Sequence, residues 1–96
     1  MLMWFALWID EEASRELVGL VECIVKDIEN LRDEFASLKE KVSRPLEYNE
    51  AEELSKRVGS LVTEAMFILN DIDSLSYYLV NPDKLVERVK YYGKFC

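Results

Sequence analysis

Three carboxylates, Asp27, Glu64 and Asp71, are the side chains whose type and spacing bear most directly on chemistry. Their relation follows from two long heptad patterns, which predict a pair of antiparallel helices. In such a pair, residues whose numbers sum to about 92 stand at one level. Arg57 then meets Glu34 as a cross-helix ion pair, Glu64 meets Asp27 one layer along, and Asp71 follows on the same edge. Like charges in register repel, so this layer wants a cation. A divalent ion such as Mg²⁺, held by Asp27, Glu64 and Asp71, is the chemistry the layer could support.

All-α nucleotide pyrophosphohydrolases hold Mg²⁺ on helical carboxylates, so a Mg-dependent nucleotide phosphohydrolase is the enzymatic alternative. Their ExxE and ExxD spacings are missing here: Glu12 and Glu16 stand four apart, as do Glu29 and Asp33. The plainer reading is a solvated acidic edge neutralised by Lys26 or by an arginine of a partner. No catalysis, metal or cofactor is therefore expected. The absence of His excludes His-based zinc sites, Ser-His-Asp and Cys-His catalysis, and facial-triad iron.

The segment KLVERVKYYGKFC is the second candidate. Lys84, Arg88, Lys90 and Lys94 outnumber Asp83 and Glu87 by two, whereas the whole chain carries −7. Cations interleaved with Tyr91, Tyr92 and Phe95 could stack on bases or settle on an anionic membrane. Against this, Leu85, Val86, Val89 and Tyr92 share one helical face and read as core. The net acidity also gives no general means of coating nucleic acid.

Cys23 lies in a helical stretch and Cys96 is the final residue. Two cysteines make no disulfide framework, so a buried thiol and a loose terminal thiol are expected, with an intermolecular Cys96 bridge as the alternative. The stretch MLMWFALWI lacks the basic start and cleavage site of a targeting signal, and nine residues are less than half a membrane span. A cytoplasmic, intracellular location is the expectation. No Gln, one Thr and many Glu and Lys point to a thermophilic, archaeal or viral source.

The elements that must position these residues are marked plainly. Leu17, Val21, Ile24, Ile28, Leu31, Phe35, Leu38 and Val42 follow the spacing of an a/d seam. So do Leu54, Val58, Leu61, Ala65, Ile68, Ile72, Leu75 and Leu79. Helix 1 is predicted over 10–42, capped by Asp10 and stopped at Pro45; helix 2 over 50–80, with Asn49 and Glu52 as a capping box. A short helix 3 over 82–92 opens on Asn81-Pro82 and ends at Gly93. The fold class is all-α: an antiparallel helical hairpin plus a short C-terminal helix, in one domain over 1–96. Its architecture alone resembles small hairpin adaptors.

Near the connecting loop the apolar residues keep to the seam, but at the open end the apolar surface widens. Val18, Leu20 and Val25 add to helix 1, and Val62, Met66, Phe67 and Leu69 to helix 2. Something must cover them: the segment 1–9, with Trp4, Phe5 and Trp8 as anchors, or helix 3 with Tyr91, Tyr92 and Phe95. Two hairpins closing into a four-helix-type bundle would bury both stripes. The functional expectation is an adaptor or accessory subunit acting through protein–protein interaction, as a homodimer and with another protein. Nucleic-acid or membrane accessory work through the tail is the other alternative.

Overall fold

The computed structural model describes residues 9–96 and has three helices there: α1 (Glu11–Val42), α2 (Tyr48–Val80) and α3 (Pro82–Tyr92). No strand occurs among the described residues. Trp4, Phe5 and Trp8 lie outside them.

α1 starts where the Asp10 carboxylate accepts a hydrogen bond from the Ala13 N–H at 2.8 Å. Glu11 and Glu12 then occupy the first turn, where the helix dipole favours negative charge. At the other end the Ser43 hydroxyl donates to the Glu40 carbonyl at 2.6 Å, just before Pro45 forbids further helix.

α2 begins two residues earlier than the Asn49–Glu52 box predicts. Glu47 takes the cap position instead, and its backbone N–H donates to the Glu50 carboxylate at 3.4 Å. A Glu three residues after the cap supplies the reciprocal bond whichever residue type opens the helix. Asn81 also departs from its expected role. Its side-chain amide donates back to the Tyr77 carbonyl at 3.0 Å, closing α2 rather than opening α3. Pro82 opens α3, where a missing N–H costs nothing. Gly93, at φ 83°, ends it with its N–H donating to the Val89 carbonyl at 2.9 Å. That left-handed backbone suits glycine because it lacks a Cβ.

α1 and α2 pair as an antiparallel hairpin in the predicted register, in which Arg57 reaches Glu34 across the seam. Of each heptad pair, one residue is seated deeper than the other. Leu17, Ile24, Leu61 and Ile68 are buried, whereas Val21, Ile28 and Ile72 are exposed. α3 folds back beside the open end. Leu85 is fully buried, and Leu20 and Ala13 on α1 are buried with it. Pro82 shares a groove with Asp10 and Ala13, while Phe95 and Cys96 lie beside Leu20 and Cys23, so α3 runs parallel to α1. Of the fully buried side chains, Leu20 and Leu85 belong to this three-helix end, and Leu61 lies midway along the hairpin, level with Leu31.

The two thiols are not free. Cys23 and Cys96 form an intrachain disulfide with Cα atoms 5.8 Å apart, which replaces the expected pair of unlinked thiols. The cause is geometric. α3 carries the chain from the level of Ala13 along α1, and the turn at Gly93 then lays Cys96 across α1 beside Cys23.

Candidate interaction face

α3 packs on one broad side of the hairpin and leaves the opposite side uncovered by any described residue. On an α-helix each residue turns the side chain by about 100°, so residues three and four apart share a face. Val18, Val21, Val25 and Ile28 form such a row on α1, displaced from Leu20 and Cys23, which face α3 and the tail. On α2 the matching row is Val62, Leu69, Ile72 and Leu79, displaced from Ser74 and Tyr78, on whose side the Phe95 ring lies. In the hairpin register Val21 stands level with Ile72, and Ile28 with Ala65. Each residue of the two rows is exposed. The structure thus places Val18, Val25, Val62 and Leu69 together on one apolar face.

It does not add Met66 and Phe67 to that face. Met66, 64 % exposed, points outward from α2. Phe67, 68 % exposed, lines the groove on the α3 side together with Asp27, Asn30, Asp33, Glu34 and Glu64. This groove is where the expected carboxylate layer falls. Asp27 and Glu64 do line it, but Asp71 does not. Among the described residues no group of three or more carboxylates, cysteines or histidines is disposed to hold a metal ion. The candidate set of Asp27, Glu64 and Asp71 is therefore not assembled as a metal site. The fixed charge nearby is Arg57. Its guanidinium is held even more firmly protonated than usual, first by the hydrogen bond to Glu34, then by that carboxylate's charge, with Glu64 adding to it.

The tail divides in two. Phe95 is tucked in: the Arg88 guanidinium stacks over its ring at 3.9 Å, and the Tyr78 ring meets its edge at 6.3 Å. A cation over an aromatic face is attracted by the ring quadrupole, so Arg88 and Phe95 fasten the tail to α3. Tyr91 and Tyr92 stay in solvent, Tyr92 at 81 % exposure. This corrects the reading of Tyr92 as core. Leu85 and Val86 complete the inward face without it, because α3 contacts α1 along a narrow stripe. The missed features are the disulfide and the side of the hairpin that α3 covers; the surplus of apolar residues over one two-stranded seam was legible in the sequence.

No helix among the described residues is long and apolar enough to cross a membrane. No protein-family model, curated protein or solved structure matches this chain.

Proposed function

We propose that the protein is a non-catalytic interaction module, an adaptor or accessory subunit, and that two copies join through the uncovered apolar face into a four-helix bundle. The observation that carries this reading is the double row Val18, Val21, Val25, Ile28 and Val62, Leu69, Ile72, Leu79, left exposed opposite α3. The longer row spans 18 residues, Val62 to Leu79, so a face two helices wide measures roughly 20 by 27 Å, about two thirds of the ~800 Å² per partner of a standard complex. Isolated surface leucines need no partner, but a continuous apolar face does. The segment 1–9 is proposed as a further anchor, on the twin or on another protein.

Self-association makes the melting temperature depend on chain concentration. It is expected to rise with concentration for the native chain and to be independent of concentration for the double variant Val25→Glu, Leu69→Glu. A native melt that ignores concentration contradicts the proposal.

The exposed Tyr91 and Tyr92 beside Lys90 and Lys94 support a second reading, contact with nucleic acid or an anionic membrane. It requires salt-sensitive binding that is lost when Lys84, Lys90 and Lys94 are changed to Gln. For location, we propose the cell interior of a thermophilic organism. A lasting disulfide is rare in the cytosol of mesophiles, yet intracellular proteins of hyperthermophiles are rich in them.

A further inference from the structure

The Cys23–Cys96 bond joins unequal partners. Cys23 is buried, at 7 % exposure, whereas Cys96 is exposed. Both line a surface notch of about 300 Å³ together with Gly19, Leu20, Glu16, Glu22, Lys26 and Lys94. The notch is open space beside Gly19, where an added Cβ would meet nothing within 4 Å. The bond therefore sits at an open recess rather than inside the core, which lies under Leu85 and Leu61.

We propose that this disulfide is a thiol-exchange site that accepts an external low-molecular-weight thiolate at Cys96. The incoming thiolate attacks the Cys96 sulfur, forming a mixed disulfide, while the bond to Cys23 breaks and its electron pair leaves on the Cys23 sulfur. A second thiolate then removes the first as a free disulfide and leaves two protein thiols. The direction of attack follows from access, because the buried Cys23 offers the poorer approach. The leaving Cys23 thiolate has Lys26 at i+3 on the same helix and in the same notch. Its acidic neighbours in the notch are Glu22, adjacent in sequence, and Glu16, two turns back, which Lys26 and Lys94 offset, while Asp27 lines the groove toward α2.

Opening the bond unlinks Cys96 from α1 but leaves Phe95 stacked against Arg88 and Tyr78, and α3 held by Leu85 and Pro82. The apolar face proposed for self-association lies on the other side of the hairpin, so exchange does not depend on it.

The test uses the oxidised native chain with reduced glutathione as the thiol, no denaturant, thiols blocked with iodoacetamide at intervals, and the products mapped on peptides. The expected products are glutathione on Cys96 and alkyl on Cys23, with the helical circular dichroism retained. The native rate is expected within about tenfold of that for the chain unfolded in denaturant. A bond that opens only when the chain unfolds overturns the proposal and makes the disulfide a structural staple. Glutathione found on Cys23 overturns the assigned direction of attack.

Discussion

Single residues do most of their work here through backbone geometry. Asp10, Glu47 and Asn81 each satisfy a helix end, and Gly93 supplies the positive φ of the turn that ends α3. Gly59 is different: it lies inside α2, an added Cβ would meet nothing within 4 Å, and it has no conformational need to be glycine. Gly59→Ala is expected to stabilise the protein by about 0.5–1 kcal/mol, read from a denaturant melt, because it lowers the entropy of the unfolded chain. No gain would mean that α2 is not a regular helix there. At this scale the sequence was legible wherever a local rule applies. Arg57 with Glu34 followed from heptad arithmetic, and the stop at Gly93 from the preference for glycine just past a helix end. The Cys23–Cys96 bond was not legible, since it depends on a 73-residue separation closed only after three helices have packed. The carboxylate layer was legible only in part, for a related reason. Register puts Asp27 level with Glu64 but does not tell whether a third carboxylate turns into the same groove.

The elements share one pattern: apolar residues in excess of what each pairing buries. The hairpin seats Leu17, Ile24 and Ile68 toward the open end and Leu61 near its middle, and α3 adds Leu85, Leu20 and Ala13 at the open end. Toward the connecting loop, Leu31, Leu38, Leu54 and Val58 are only half-buried. Stability is accordingly uneven. Leu61→Ala is expected to cost about 2–4 kcal/mol, and Leu38→Ala roughly half as much, because the second site leaves little cavity. Equal losses would contradict a core confined to one end. Periodicity foretold all three helices and their boundaries within two residues. It left open which side of the hairpin α3 would cover, because that choice rests on the short link at Asn81 and on where Leu85 finds a vacancy. Tyr92 was misplaced on the same account: a helix of 11 residues presents only a narrow stripe to one neighbour.

The whole molecule is a rod. Its radius of gyration is 19.2 Å, whereas a compact domain of this length has about 12–13 Å. A rod of two helices and a short third cannot enclose a core along its full length, and the surplus apolar surface gathers on the side away from α3. The chain carries −7 overall, and a net charge of one sign disfavours close contact except where the acidic residues give way. The apolar face is one such place, and the proposed self-association would cover the exposed rows that α3 leaves open. The most direct test is the solution mass of the intact chain, measured by light scattering on a sizing column beside the Val25→Glu, Leu69→Glu variant. Twice the mass of one chain for the native protein, and a single folded chain for the variant, is the predicted result. A native protein that elutes with the mass of one chain at every concentration would contradict it.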